Sequence, residues 1–449
     1  MNEQSNEFAA TRDAAPLQSS QARTSNLYIA YSCDENVVGQ RLSLDGTTWI
    51  LGRQPGVQMQ ISDDMLSRQH VRIEADATGT YYVHDLGSKN GTFVDGRKVG
   101  EDKALLGDIV RVGNTLLVVD RPPPPELDTQ VRPSETNDLV GPSEHMQAIR
   151  ARLHMAAKAG GGILLLGPSG AGKEVAANFV KHCMPRDLKF VPVNCAGLKG
   201  DVANTELFGH VQGAFTGATD SRGGLFQAAN GGVLFLDEIG ELDLDVQARL
   251  LRTLESGELR PVGASKSIEV KIRLIAATNK DVNSDEFRGD LLARICTWTV
   301  TIPPLVERRA DILPIFQHFF RKMMGTTPRM NVAFAEGLLL HSWEHNARGL
   351  RDLIVRLGGD PARQLTENDL DHAWRKRLRD RRSEAGAPTS PVSDTEAFRH
   401  EVIGVLKDLN GNVTKTAEKM GMKRLNLHRR LKKMGIDASL YREKGQEGL

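Results

Sequence analysis

Cysteine is scarce in this chain: Cys33, Cys183, Cys195 and Cys296, with no C-x-x-C pair. That scatter supplies neither a zinc-ligand set nor a disulfide framework, and it predicts a reducing, cytoplasmic setting. Net charge is almost absent, +1 from 58 Lys and Arg against 57 Asp and Glu. A uniformly polybasic or acidic chain is excluded, so any nucleic-acid surface must be local. Long hydrophobic runs are missing as well. Pure aliphatic stretches such as residues 163–166 fall far short of the ~20 residues a bilayer span needs, and mean hydropathy is −0.34. Residues 1–26 are polar and rich in Ser, Ala and Gln, with no apolar signal region. They read as a disordered tail, and no membrane partner is expected.

What is present divides into parts. A chain of 449 residues is long enough for about three domains. Residues 27–120 contain short β-rich runs, among them NLYIAY, TTWILGR, HVRIEAD, TYYVHDLG and TLLVVD, punctuated by Gly, Asp and Asn. That spacing predicts an antiparallel β-sandwich. Residues 121–138, RPPPPELDTQVRPSETND, cannot build a core and read as a semi-rigid spacer. Between 139 and 375 apolar strands alternate with helical runs, an α/β pattern with a parallel sheet. A second linker is expected over 376–394, and residues 395–449 read as a small helical unit. The run RKRLRDRR, 375–382, reads better as a solvated helix end than as a DNA contact.

Three strand ends in the α/β region carry chemistry. GPSGAGKE follows the apolar strand 163–166 and precedes the helical run EVAANFVKH. Gly167, Pro168, Ser169, Gly170, Ala171 and Gly172 would bring backbone N–H groups onto phosphate oxygens at a helix N-terminus, and Lys173 would reach the outer phosphates. Glu174 stands where the generic phosphate loop has Ser or Thr. A second apolar strand, 233–236, ends in Asp237 and Glu238. Asp237 can hold Mg²⁺ through water, and Glu238 can orient and deprotonate the attacking water. A third strand, IRLIAATN, ends in the amide of Asn279. Ligands of open parallel sheets lie beyond the strand carboxyl ends, so the three together point to a nucleoside triphosphatase.

The order GPSGAGKE, VNCA, ELFGHVQGAFTGA, GGVLFLDEIGEL, AATN, FRGDLLARI, IPPLVERRADI resembles the AAA+ domain of sigma-54-dependent transcription activators, with a helical lid at about 307–375. In that family the residue after the phosphate-loop Lys is commonly Glu, which accounts for Glu174. The resemblance implies ATP and Mg²⁺ as cofactors. It implies that Asn194 holds the catalytic Glu in check, that Arg288 and Arg294 act as arginine fingers in a neighbouring subunit, and that Arg348 is a second sensor. Trans-acting arginines imply a homo-oligomer, a hexameric ring by analogy. Two stretches depart from the pattern: W-P-G-N-V-R-E-L appears as WEHNARGL, 343–350, and P-P-L-R-E-R as PPLVERR, with Val306 in place of the first Arg.

The stretch Gly213, Ala214, Phe215, Thr216, Gly217, Ala218 carries one aromatic in a run of small residues. Glycines let such a segment swing, and a lone Phe offers an apolar anchor. In the family this GAFTGA loop contacts sigma-54, making sigma-54 RNA polymerase the expected partner. At the N-terminal end GR (52–53), SRQH (67–70) and SKNGT (88–92) resemble forkhead-associated domains, which bind phosphothreonine. Arg53 and Arg68 would neutralise the phosphate, Ser67 would donate a hydrogen bond, and Asn90 would grip the peptide backbone. Gly52 and His70 are structural by the same resemblance. A Ser/Thr kinase is then the expected source of the signal. Residues 411–436 hold eight Lys and Arg against one Glu, the footprint of a DNA reader. They resemble a Fis-type helix-turn-helix, an all-α unit in which Lys423, Arg424, Asn426, His428 and Arg429 would contact double-stranded DNA at an upstream site.

Two other classes compete. A regulator acting by contact alone typically lacks an intact GAFTGA, and an AAA+ chaperone or motor has no use for a C-terminal DNA reader. The expectation is therefore an ATP-hydrolysing activator, gated by phosphothreonine recognition, that remodels sigma-54 RNA polymerase.

Overall fold

The computed structural model describes residues 25–123 and 139–383 and, beyond them, residues 402, 405, 406, 409, 412–420, 427 and 431. The first block is a sandwich of short strands: β1 (Asn26–Tyr31), β2 (Arg41–Ser43), β3 (Thr48–Gly52), β4 (Met59–Gln60), β5 (Val71–Ala75), β6 (Tyr81–Asp85), β7 (Thr92–Val94), β8 (Arg97–Lys98), β9 (Ala104–Leu105), β10 (Ile109–Val112) and β11 (Thr115–Asp120). One sheet has the order β2-β1-β11-β10-β7-β8, the other β4-β3-β5-β6-β9. Pairing is antiparallel apart from β3 with β4. Leu27, Ile29, Trp49, Leu51, Ile73, Val110, Leu117 and Val119 fill the space between the sheets.

Alternation fails in a telling way. All six residues of β11, TLLVVD, are buried. Leu117 and Val119 face the sandwich core, while Leu116 and Val118 join Tyr28, Ala30 and Ile109 in a cluster with Phe316, Phe334, Leu338 and Leu339, far along the chain. An antiparallel sheet with one solvated face shows polar residues there. This one is covered.

The second block is the expected α/β unit. Its strands and helices run α1 (Glu144–Ala159), β12 (Ile163–Leu166), α2 (Lys173–His182), β13 (Phe190–Asn194), α3 (Gly200–Phe208), β14 (Gly209–His210), β15 (Arg222–Gly223), α4 (Leu225–Ala228), β16 (Val233–Asp237), α5 (Leu244–Ser256), β17 (Glu258–Leu259), β18 (Ile268–Glu269), β19 (Arg273–Thr278), α6 (Gly289–Ile295) and β20 (Trp298–Thr301). The sheet order is β13-β16-β19-β12-β20, all parallel. Successive residues feed the two faces: Ile163, Leu165, Phe235 and Ile275 go to one cluster, Leu164, Leu234, Leu236 and Ala276 to the other. Burial on both faces is why these strands read as unbroken apolar runs. The carboxyl ends of β12, β16 and β19, with their catalytic candidates, meet at one edge.

The lid follows: α7 (Ile312–Met324), β21 (Arg329–Met330), α8 (Val332–Leu340), α9 (Asn346–Leu357), β22 (Gln364–Leu365) and α10 (His372–Ser383). Residues 376–383, expected as the start of a linker, belong to α10. Trp374 and Leu378, four apart on one helix face, are buried in the lid. The basic residues Lys376, Arg377, Arg379 and Arg381 of the same helix are exposed. In the C-terminal region Asn412 caps the helix Val413–Lys419 by accepting from the Lys415 N–H at 3.2 Å. Val402, Leu406, Ala417, Leu427 and Leu431 pack together there. No helix among the described residues is long and apolar enough to cross a membrane.

Candidate functional site

The phosphate loop is built by glycine. Gly167, Gly170 and Gly172 have φ of 151°, 74° and 110°, values at which a side chain is strained. A Cβ on Gly170 would also overlap the His345 carbonyl oxygen. Gly172 stands at the N-cap of α2, so the helix opens at Lys173 with its first N–H groups free of side-chain caps. That arrangement favours an anion. Lys173 is buried, and its ammonium donates to the carbonyls of Gly167 (3.0 Å) and Pro168 (3.5 Å) and lies 3.4 Å from Glu238 Oε1.

Glu238 adopts the left-handed region at φ 53°, an uncommon state for a non-glycine residue and one concentrated at functional sites. The Asn279 N–H donates to its Oε2 at 3.1 Å. Its own N–H donates to Asp237 Oδ1 at 3.1 Å. The three strand ends therefore converge on Glu238. Burial, then the neighbouring Glu238 charge, push the Asp237 carboxyl above its ordinary value, with Lys173 opposing them and Glu174 adding to them. Among the described residues no three His, Cys, Asp or Glu side chains form a metal cage. Mg²⁺ in phosphoryl-transfer sites is held by one or two carboxylates, water and the phosphates, and this carboxylate group around one lysine fits that mode.

Asn194 ends β13. It sits opposite Asp237 in the strand register. Yet its side-chain oxygen accepts from the Ala196 N–H at 2.9 Å, capping the turn Cys195–Gly197, while Glu238 is held by Lys173 and Asn279. Arg288, at the N-cap of α6, forms a fork on Asp290 (3.0 and 2.6 Å), and Arg294 on α6 donates to the Leu254 carbonyl at 2.9 Å. Arg348 lies on α9 against the phosphate loop, its Cβ 3.2 Å from where a Cβ on Gly170 would stand.

The altered segment 343–350 keeps its grip on the phosphate loop. Asn346, buried and at φ 50°, donates from Nδ2 to the Ser169 carbonyl (2.9 Å) and accepts the Leu305 N–H (2.8 Å). The Ala347 N–H donates to the Gly170 carbonyl. Gly349 replaces the family's Glu, and a Cβ there would press on the Trp343 ring at 3.3 Å. The Arg that survives in PPLVERR, Arg308, is buried and donates to Ala171 O (2.6 Å) and Pro303 O (3.2 Å).

Residues 213–218 form the tip of a loop standing on the β14–β15 hairpin. Gly213 (φ 78°) and Gly217 (φ 102°) make its bends, and the Gly213 N–H donates to the Ala218 carbonyl across the tip. Phe215 is 47 % exposed, its ring edge-on to His210 at 5.1 Å.

In the sandwich, Arg53, Ser67, Arg68 and Asn90 come together on adjoining loops. The Arg53 N–H donates to Ser67 O, the Gln54 N–H to Arg68 O, and the Lys89 N–H to Ser67 Oγ. Asn90 Nδ2 donates to Met65 O at 2.7 Å. His70 is fully buried. Its Nδ1 accepts the Ser67 N–H (3.1 Å), so Nε2 carries the hydrogen toward Gly91 O (3.2 Å), and burial pushes its pKa down. A neutral imidazole thus pins two of these loops together. Gly52 allows a third: a Cβ there would overlap the Arg68 carbonyl oxygen. Gly52→Ala is expected to cost about 1–3 kcal/mol as overpacking against backbone. The check is a lower urea midpoint together with faster amide exchange over 48–52 and 67–71.

Residues 139–301 match the sigma-54 interaction domain family and residues 49–113 the FHA domain family. The response regulator protein PilR of Pseudomonas aeruginosa is 33 % identical over 318 residues, 67 % of this chain and 70 % of that protein. The chain belongs to the sigma-54-dependent transcription activators. Among other relatives, the DNA-binding transcriptional activator HyfR of Escherichia coli is 35 % identical over 67 % of this chain. The anaerobic nitric oxide reductase transcription regulator NorR of Vibrio vulnificus is 33 % identical over the same share. The matches span 48 % and 64 % of those two proteins.

For this activator the sequence missed three supports: Asn346 and Arg308 behind the phosphate loop, and Asp63 behind the loops that carry Ser67 and Asn90. Asp63 is fully buried and accepts from the N–H groups of Met65 (2.9 Å) and Asn114 (2.7 Å) and from Thr115 Oγ1 (3.2 Å). An Asp two residues before a turn is a cap signal that could have singled it out. Lys423, Arg424, Asn426, His428 and Arg429 lie outside the described residues.

Proposed function

We propose that this activator hydrolyses ATP and spends the energy on sigma-54 RNA polymerase through its GAFTGA loop. The observation that carries the reading is the convergence of Lys173, Asp237, Glu238 and the Asn279 N–H at one sheet edge, with an exposed Phe215 on a loop inserted between those strands. The phosphate-loop amides and Lys173 bind the triphosphate. Asp237 would hold Mg²⁺, which would supply charge neutralisation at the phosphate oxygens. Glu238 takes a proton from the attacking water once the phosphates draw Lys173 away from it. The backbone N–H of Asn279 keeps Glu238 aimed meanwhile. Arg288 at the N-cap of α6 and Arg294 exposed on it suit service as fingers at a neighbour's site in a hexameric ring, where charge stabilisation of this kind is worth ~10³–10⁵ in rate. Arg348 senses the nucleotide from the lid, and Asn194 holds Glu238 in check until the nucleotide state is read.

The remaining parts address the machine. Arg53, Ser67, Arg68 and Asn90 read phosphothreonine delivered by a Ser/Thr kinase, gating the ATPase. The basic C-terminal unit holds the protein on double-stranded DNA upstream of the promoter. The deciding measurement is open-complex formation at a sigma-54 promoter with purified polymerase. ATP is expected to support it, and a non-hydrolysable analogue is not. Equal activity with the analogue would overturn the reading.

A further inference from the structure

Three successive carbonyls of the phosphate loop are tied from behind. Ser169 O accepts from Asn346 Nδ2 (2.9 Å), Gly170 O from the Ala347 N–H (3.1 Å) and Ala171 O from Arg308 Nη2 (2.6 Å). In a trans peptide the C=O and N–H point to opposite sides. Drawing the Ala171 carbonyl toward Arg308 therefore turns the Gly172 N–H away from it, at the N-cap of α2, where an anion is favoured. Arg308 is only 3 % exposed, so its aim is set by what surrounds it. Its Nε donates to Pro303 O (3.2 Å), its Nη1 touches Met146 Sδ (3.0 Å), and Asp311 Oδ2 lies 3.8 Å from Nη1. Asp311 is fully buried, and no step of hydrolysis uses it. Its Oδ1 accepts the Ser143 N–H and its Oδ2 the Ser143 hydroxyl, both at 2.8 Å. Ser143 in turn caps α1 by accepting the Met146 N–H at 3.2 Å. Gly141 leaves room for the carboxylate: a Cβ there would stand 2.7 Å from it.

We propose that Asp311 is a positioning residue for nucleotide binding. Held by Ser143 at the start of α1, it fixes the Arg308 guanidinium, which keeps the Ala171–Gly172 peptide with its N–H turned to the phosphates. The inference rests on the ATPase reading above. A guanidinium out of water needs a counter-charge, and among the described residues Asp311 is the carboxylate within ion-pair distance of Arg308. Without that charge the guanidinium is drawn toward water, and the Ala171 carbonyl loses its hold. Gly170 and Gly172 flank Ala171, and glycine offers little resistance to a flipped peptide. Burial pushes the Asp311 carboxyl up to about 6, with Arg308 and the two Ser143 hydrogen bonds opposing and Asp120 adding to the rise. Above that value the pair is intact. Below it the carboxyl takes a proton and Arg308 loses its anion. His145 on α1 also faces Arg308, together with Asp120, Glu307 and Glu144, and burial holds that imidazole's pKa down.

The test uses the full chain at about pH 8, where Asp311 is ionised. Asp311→Asn keeps the shape and removes the charge. Arg308→Lys keeps the charge and removes the planar fork, and it serves if the first variant fails to fold. Affinity for Mg²⁺–ADP by equilibrium binding, ATP turnover by released phosphate and the thermal midpoint are read on one preparation. In both variants the Kd for ADP and the KM for ATP are expected to rise about tenfold, the scale of one hydrogen bond to a charged group. Turnover at saturating ATP is expected to stay within about threefold of wild type, since binding rather than chemistry is weakened. At about pH 5.5 the gap in ADP affinity between wild type and Asp311→Asn is expected to narrow to roughly threefold, because protonation removes most of the wild-type charge. A lower thermal midpoint with unchanged ADP affinity would make Asp311 a structural residue and sink the proposal. So would a fall in turnover with affinity intact, or a gap that stays the same at the lower pH. If the wild type binds no ADP, the ATPase reading falls first. If it binds ADP and both variants bind it equally, only the positioning role falls.

Discussion

Glu238→Gln is expected to abolish ATP turnover while leaving ATP binding in place. The replacement keeps the size of the side chain and can still accept the Asn279 N–H, so the carbonyl stays aimed where the carboxylate was. What it removes is basicity. A positioned general base contributes about 10²–10⁴ in rate, and no other described carboxylate is held by both Lys173 and the third strand end. Loss of the negative charge 3.4 Å from Lys173 frees that ammonium for phosphate, so affinity for ATP is expected to hold or rise. Turnover by released phosphate and affinity by equilibrium binding separate the two. Hydrolysis within about tenfold of wild type would remove Glu238 from the catalytic role.

Phe215→Ala is expected to leave ATP turnover intact and to eliminate activation at a sigma-54 promoter. Phe215 is on the tip of the loop, half exposed, and its ring touches only the edge of His210 among the aromatic side chains described. Truncation therefore removes little from the folded chain. At an interface the same ring would be an apolar anchor, and truncating a central aromatic commonly costs 2 kcal/mol or more, about thirtyfold in affinity. Transcription and ATPase assays on one preparation decide it. Normal activation by the variant would remove the loop from the sigma-54 contact, and a loss of ATPase would mean that Phe215 is part of the nucleotide machinery instead.

The parts legible in the sequence share a property: each lies within one short contiguous run. Glycines at fixed spacing after an apolar strand specify a phosphate loop because positive φ and close backbone approach admit no other residue, as Gly170 against His345 demonstrates. Asp237 and Glu238 were legible because an unbroken apolar strand ends there. Gly52 and His70 were likewise legible as structural residues of the sandwich loops. Asn194 shows the opposite case: its run does not say where the side chain points, and it caps its own turn.

Sequence by itself determined three things about this protein: the sandwich-then-α/β order, the strand ends that carry the chemistry, and the isolated Phe on its glycine-bent loop. These follow from local rules of period, φ and side-chain type. Only the tertiary structure decided that Asn346 and Arg308 brace the phosphate loop from the lid and the junction, and that the sandwich lies across core and lid. Arg111 and Glu336 are 225 residues apart, and no periodicity in either segment names the other. The run TLLVVD held a hint, since its lack of alternation requires cover on both faces. The identity of the cover came from distant segments brought together by folding.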